Sequence, residues 1–427
     1  MKSIKKRFDR EKLLPTSYLL FAFFPIIPNV LKGLPVILLL LAAIIFPVKG
    51  KPIWKRFFIN SSLYLIFVLS LLYTSNFDYA LQKLETGLSI LVLPMVFHIL
   101  APQLTVKKSV RTLFFKLFII STTIFSCIII TVILFDDSVA YYRDWYSNTF
   151  RTIITQTAII GQHPIYASIF LSLSLVFYIE LIKNKVLKTV SKHVYFIIFG
   201  LINLTLLIMI LSKGVFLALN FVILYYIVRD RRLKRYRLWA LFLVLIVFTT
   251  LFAFNRRMNE LLKIETYTEV NQNFSTGIRV GIYQCCIEKI KENWLIGYGL
   301  GDSQDALNGC YSHKGGLLLR DEYNTHNQYL DITLKTGIIG LSLFVLFLVS
   351  NFIRAYRNKN TVANLILLFY AIVFLAENVL ARQSGVILFY FLLLFLNSNK
   401  SDIIHLQRDS GKLNIDSENR FANFKKL

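Results

Sequence analysis

Charge is scarce in this chain, and acid is scarcer still. Only 17% of the 427 residues are charged, with 24 Asp and Glu set against 48 Lys and Arg; a soluble domain carries roughly 25% charged residues. With 56% hydrophobic residues, 15% aromatic residues and a mean hydropathy of +0.57, the composition excludes an ordinary soluble core and indicates a polytopic membrane protein. Other absences narrow the chemistry. No two-cysteine, two-histidine spacing suggests zinc, and no DxD motif offers carboxylates to a divalent ion, so metal-free chemistry is expected. No cofactor motif stands out: GYGLG at 297–301 has no strand before it and no βαβ unit around it, so its glycines are expected to make a sharp turn rather than a dinucleotide site. Nothing resembles a signal-peptide cleavage site, so the first apolar segment is expected to stay as an anchor. The net charge of +24 could imply nucleic acid, but no basic-aromatic platform or Cys/His finger supports it.

What is present is apolar runs of spanning length. The candidates are 16–31, 34–49, 56–74, 86–101, 112–135, 163–182, 194–211, 214–229, 236–254, 334–353, 362–381 and 384–397. The expected fold class is therefore all-α, a transmembrane bundle of about twelve helices. Pro25, Pro28 and Pro35 interrupt the first two segments.

The basic residues fall in clusters on alternate loops. With the N-terminus inside, one side collects Lys2 to Lys12, Lys49 to Arg56, Lys107 to Arg111, Lys183 to Lys192, Arg229 to Arg237, and Arg354 to Lys359. The other short loops hold only Lys32, Lys83, Arg143, Arg151, Lys213 and Arg382. The positive-inside bias then puts both termini in the cytoplasm. Residues 1–254 hold the first nine helices, 255–333 form one large external loop containing short helices, 334–397 hold the last three, and 398–427 form a polar cytoplasmic tail. Basic loops of this kind face anionic membrane lipid.

This geography sorts the histidines. His98 lies at an inner helix end and His193 and His405 are cytoplasmic, whereas His163, His313 and His326 face outward. His326, in NTHNQYLDITLKTGIIG, sits where the external loop meets the tenth helix, with Asn324 or Thr325 as cap. Imidazole titrates near neutral pH, so a general base fits here; an interfacial histidine that only bonds backbone would look the same.

Cations placed against the charge bias suggest an anionic ligand, with snorkelling to lipid phosphate as the bland reading. Lys213 lies in the tight turn LSKG. Arg279 lies on a loop helix capped by Ser275 or Thr276, whose Ile278, Ile282, Cys286 and Ile290 share one face. Arg382 follows the eleventh helix. Glu377, expected inside that helix near its outer end, is a costly intramembrane carboxylate with Arg382 or Lys213 as partner. Glu322, four residues before His326, could steady the ring or be a solvated loop charge. GQHPIY puts His163 and Tyr166 at the start of the sixth helix, with Pro164 in its first turn. Cys310 shares the external loop with Cys285 and Cys286, and an oxidising compartment would allow a bridge to one of them.

These pieces resemble the O-antigen ligase and O-antigen polymerase superfamily of bacterial membrane glycosyltransferases. The match is carried by LSKG, by STGIRVGIYQ through NWLIGYGLG, and by THNQYLDITLKTGIIGLSLF, with HPIY and AEN in support. The resemblance implies a glycan on undecaprenyl diphosphate as donor, transferred at the periplasmic face of the inner membrane to lipid A core or another glycan hydroxyl, without nucleotide or metal. It implies His326 as base and Arg279 as a catalytic cation, with Lys213, Arg382, His163, Tyr166, Asn327 and Glu377 binding substrate. Where relatives commonly carry arginine in a Ser-Arg-Gly turn, this chain has Lys213, which keeps the charge and loses the bidentate fork. Ligase and polymerase use the same residues, and a slight preference falls to the ligase. A transporter would instead call for an inverted repeat and breaks at the bilayer midplane, and no repeat is visible.

Overall fold

An apolar run in lipid must satisfy its own backbone, and for a single segment the helix is the solution. The structure, a computed structural model, describes residues 10–46, 50–102, 106–136, 148–184, 186, 190–230, 232, 234–235, 237–239, 241–242, 245–246, 249, 256–263, 275–314, 316–320 and 322–398. Among the described residues the regular elements are all helical, and the architecture is all-α and polytopic. In chain order they are α1 (Arg10–Leu20), α2 (Leu34–Ile45), α3 (Trp54–Ser70), α4 (Phe77–Gly87), α5 (Ser89–Met95), α6 (Lys108–Leu134), α7 (Asn148–Gln156), α8 (Pro164–Lys183), α9 (Val190–Ile210), α10 (Lys213–Arg229), α11 (Ser275–Glu292), α12 (Gly299–Lys314), α13 (Gly316–Arg320), α14 (Gln328–Arg357), α15 (Thr361–Val373) and α16 (Gln383–Asn397).

Among the described residues, five helical stretches are long and apolar enough to cross a membrane: Phe77–Leu100, Lys108–Phe135, Pro164–Lys183, His193–Ile210 and Gln328–Arg357. Shorter apolar helices cover Leu14–Phe23, Asn29–Ile45, Thr361–Val373 and Gln383–Asn397. The first expected span, 16–31, is cut where Pro25 and Pro28 follow Phe21–Phe23, because proline removes a backbone donor. The ninth, 236–254, and the tail beyond 398 lie largely outside the described residues.

The core is built around α16. Every residue from Gly385 to Asn397 is buried, as expected for a helix apolar on all sides and surrounded by others. Phe391 stacks on Phe21 with ring centroids 3.8 Å apart, and Phe395 lies 4.9 Å from Phe114. Around it α14 packs on α3, α9 on α8, α6 on both α8 and α9, and α10 on α15.

The expected loop helix is α11, and its apolar face is where the spacing puts it: Ile282 and Cys286 are fully buried, with Ile278 and Ile290 packed against them. A disulfide joins Cys285 to Cys310 and ties α11 to α12, choosing between the two adjacent cysteines. Burial pushes the remaining Cys286 thiol up to about 12.

The loop unit is clasped to α14 backbone against backbone. Tyr298 N–H donates to Leu334 O (2.9 Å) and Ile338 N–H to Trp294 O (2.9 Å). Two glycines with positive φ make the approach feasible. A Cβ on Gly297 (φ +70°) would lie 2.6 Å from the 334–336 backbone, and one on Gly337 (φ +62°) would lie 2.1 Å from Leu295 O. Gly337 is also where α14 breaks its helical path.

Candidate active site

The site begins with a helix that stops early. The run 362–381 reads as one span, but α15 ends at Val373, and Glu377 lies outside any helix, before a single 3₁₀ turn at Val379–Ala381. No proline or glycine forces this break. It survives because other elements take up the freed backbone groups. Gln328 N–H donates to Phe374 O (2.8 Å) and Asn327 Nδ2 to Leu375 O (3.1 Å), while Leu380 N–H donates to Gln328 Oε1 (2.8 Å). The start of α14 thus replaces the hydrogen bonds that α15 gives up, and the side chain of Glu377 emerges only 8% exposed.

Glu377 joins two candidate residues. Its Oε1 accepts from Arg279 Nη2, and its Oε2 lies 3.2 Å from His326 Nδ1. Burial opposes the carboxylate charge, but Arg279 and then His326 outweigh it and hold the carboxyl below its usual range. Charge patterning offers Arg382 or Lys213 as the partner of Glu377; the partner is Arg279, because α11 lies across the break. Glu322 is likewise not the ring's partner.

Lys213 reaches the same face of α11, donating to Thr276 Oγ1 at 3.4 Å, and its side chain is buried. It starts α10 against the break itself: a Cβ on Gly214 would lie 2.5 Å from Ala376 Cβ. Lys213, Arg279, His326 and Glu377 therefore meet around one segment.

His326 has a φ of +44°, a left-handed conformation that costs a non-glycine residue energy. Its N–H is held by Asn324 Oδ1 (3.0 Å) and its carbonyl by the Tyr283 hydroxyl (3.1 Å). Thr325 exchanges hydrogen bonds with the Asn378 amide at 2.7 and 2.9 Å. The cap of α14 is neither Asn324 nor Thr325 but Asn327, whose Oδ1 accepts from Tyr329 N–H (2.9 Å) and Leu330 N–H (3.1 Å). The amide of Asn327 is therefore committed to backbone at both ends.

A cavity of about 310 Å³ opens beside the His326–Glu377 pair, lined also by His163, Tyr166, Glu322 and Arg382. Tyr166 anchors the 3₁₀ turn by donating to Val379 O (3.2 Å). His163 caps α8, its Nδ1 accepting from Ile165 N–H at 3.4 Å. Burial, then the positive charges of Arg382 and Arg151, push His163 down to about 4 and keep it neutral. Arg382 is exposed and makes no ion pair among the described residues. It also lines a second cavity of about 440 Å³, where Lys83, Asp305, Asp331 and Lys335 alternate in sign and Asp331 pairs with Lys335 at 2.6 Å. All eight candidate residues thus lie at one end of the bundle.

Sequence reasoning missed the positioning residues Tyr283, Gln328 and Asn378, and offered Thr325 only as a helix cap. A signal existed for the first, which is four residues from Arg279 and so on the same helical face. The others act through a break that periodicity does not reveal.

No curated protein matches the chain. The O-antigen ligase family model matches residues 196–345, a stretch that runs from α9 into α14 and supplies Lys213, Arg279, His326 and Asn327. His163, Tyr166, Glu377 and Arg382 come from outside that stretch and complete the site. Over that stretch, and in its all-α polytopic helices, the chain is similar to the O-antigen ligase family.

Proposed function

We propose that this protein is an inner-membrane glycosyltransferase of the O-antigen ligase type, moving a glycan from undecaprenyl diphosphate to a hydroxyl of lipid A core. In this reading the 255–333 loop faces the periplasm, both termini face the cytoplasm, and the 1–254 and 334–397 segments span the membrane. The observation that carries it is the buried carboxylate of Glu377 held between Arg279 and the ring of His326.

The roles follow from that arrangement. With Nδ1–H donating to Glu377, the imidazole is held in the tautomer that presents Nε2 as a base. Nε2 removes the proton from the acceptor hydroxyl as its oxygen attacks the anomeric carbon. The bond from that carbon to the diphosphate oxygen breaks, and the diphosphate leaves with the electron pair. One displacement gives inversion at the anomeric carbon. The leaving charge needs cations. Arg279 is committed to Glu377 on one edge, and its guanidinium keeps further N–H donors for a phosphate oxygen. Arg382, unpaired at the cavity wall, is the more available grip, with Lys213 behind α11 adding charge.

The two cavities suit different halves of the reaction. The first holds His326 beside the unpaired Arg382, with the carboxylates of Glu322 and Glu377 also in its wall, so an anionic donor would be gripped there by Arg382. The second carries lysines and aspartates of nearly balanced sign, which suits a hydroxyl-rich acceptor better than a phosphate. Arg382 stands between them.

The test is incubation of the purified protein with a lipid-diphosphate glycan and acceptor, without added metal. His326→Ala should lose transfer, by roughly 10²–10⁴-fold for a general base, while remaining in the membrane; full activity would remove the proposed base. A deletion strain separates ligase from polymerase, since the first leaves finished polymer on the carrier and the second leaves single repeats.

A further inference from the structure

The three helices that deliver Lys213, His163 and the Glu377 segment to the site meet again at their opposite ends. There Lys183 closes α8, Arg229 closes α10 and Thr361 opens α15, around a cavity of about 180 Å³. At about 1.5 Å per residue, the 13 residues of α15 put this cavity roughly 20 Å from the break at Glu377.

Its lining is built for an anion. Arg229 stacks over Tyr225 and Tyr356, its guanidinium carbon 5.6 and 5.1 Å from the ring centroids, and donates to the Tyr225 hydroxyl. Arg232 donates Nη1 to Lys183 O at 2.9 Å. Among the described residues neither guanidinium is ion-paired. The one acid in the wall, Asp230, is already occupied: its oxygens accept from the Tyr226 hydroxyl (3.0 Å) and from Arg232 N–H (2.9 Å). Lys183 is already paired with Glu180 Oε2 at 3.6 Å, and its Nζ also donates to Thr361 Oγ1 at 2.8 Å, in the first turn of α15, where free helical N–H groups favour negative charge. Helix-end dipoles alone would explain a lysine or an arginine in a last turn. They do not explain two unpaired guanidiniums and a helix start turned toward one hollow.

We infer that this hollow binds the phosphate of an anionic phospholipid headgroup. A free phosphate would meet the same donors. The position favours a lipid, because the cavity lies at the ends of apolar helices, next to Leu365, at the level of a membrane interface. Basic pockets between transmembrane helices have this geometry. The site is independent of the transfer reaction, and the bound lipid would brace the three helices at the end away from Glu377.

Native mass spectrometry of the full-length protein, titrated with phosphatidylglycerol or phosphatidylcholine, tests this directly. Phosphatidylglycerol should give one tight adduct that phosphatidylcholine does not. R229Q with R232Q should weaken it roughly thirtyfold, at about fivefold per cation, whereas K107Q with K108Q, an equal charge loss elsewhere, should not. Y356L, which keeps every charge, should weaken it a few-fold by removing the stacked ring, so the idea does not depend on one variant folding. Equal binding of the two lipids, an unchanged adduct in R229Q with R232Q, an equal loss in the control pair, or displacement by millimolar inorganic phosphate would each overturn the lipid assignment.

Discussion

The two ends of α8, α10 and α15 handle positive charge in opposite ways. At the end bearing His326, two cations are drawn into the protein and held by side chains, Arg279 by Glu377 and the covered Lys213 by Thr276, while Arg382 stays exposed. At the other end the guanidiniums of Arg229 and Arg232 are exposed and rest on rings and carbonyls instead of carboxylates. The difference teaches where the fold depends on charge. A buried ion taken out of water needs its partner in place, whereas an exposed one is solvated with or without it. Substitutions at the first end should be severe and at the second mild.

The largest expected effect is at Glu377. Glu377→Gln leaves Arg279 facing a neutral amide in a mostly buried position, and breaking a buried pair costs roughly 3–5 kcal/mol. It also replaces the carboxylate that orients the His326 ring, so transfer should fall at least about a hundredfold. The sharper version is a cycle. Adding Arg279→Met to Glu377→Gln should recover much of the thermal stability, since no charge is then stranded, but none of the transfer. Recovery of both would show that the pair serves packing alone.

Next come the covalent and backbone ties of the loop unit. Opening the Cys285–Cys310 bridge, which closes 25 residues, should cost roughly 3 kcal/mol in the loop-entropy account. Cys310→Ser should therefore make α11 and α12 more sensitive to added protease while the bundle resists. If the whole chain became equally sensitive, the loop unit and bundle would unfold as one.

The pH dependence separates two groups of this end. The Glu377 carboxyl is held below its ordinary value of 4.5, so its contribution is complete above that pH and is lost as pH falls through the lower folded value. His163 is a base held neutral, near 4 against 6.5. The unfolded chain takes up that proton first, so stability falls between about pH 6.5 and 4. His163→Gln should remove the loss in the upper window and leave the lower one, read from thermal midpoints across pH. A profile unchanged by the substitution would mean that His163 is solvated.

Much of this is legible in the amino-acid order. Composition alone points to the all-α membrane class, and helical spacing locates α11 with its buried face of Ile282 and Cys286. The charge asymmetry of the loops singles out Lys213, Arg279 and Arg382, and the same asymmetry sets His326 apart from His98. What stays hidden is long-range. LAENVL contains no residue that forbids a helix, so the stop at Val373 cannot be read locally; its hydrogen bonds come from residues 327, 328 and 283. For the same reason charge patterning names the wrong partner for Glu377. Pairing across 98 residues depends on how α11 crosses the break, and the pattern says only that some cation must be near.

The smallest effect tests the other half of the comparison. Arg229 is exposed, and its contacts are a hydroxyl and two rings. A cation–ring contact at an exposed site contributes about 0.5–1 kcal/mol, and the last-turn dipole of α10 adds at most a similar amount. Arg229→Gln should therefore lower stability in a neutral detergent by no more than about 1–2 kcal/mol, well under Glu377→Gln. Raising the salt concentration should shrink even that, because exposed charges are screened within about 10 Å at 0.1 M, whereas the Glu377 effect should persist. If Arg229→Gln proved as costly as Glu377→Gln and equally insensitive to salt, the hollow at this end would have to hold its arginine as a buried structural charge, and the contrast between the two ends would collapse.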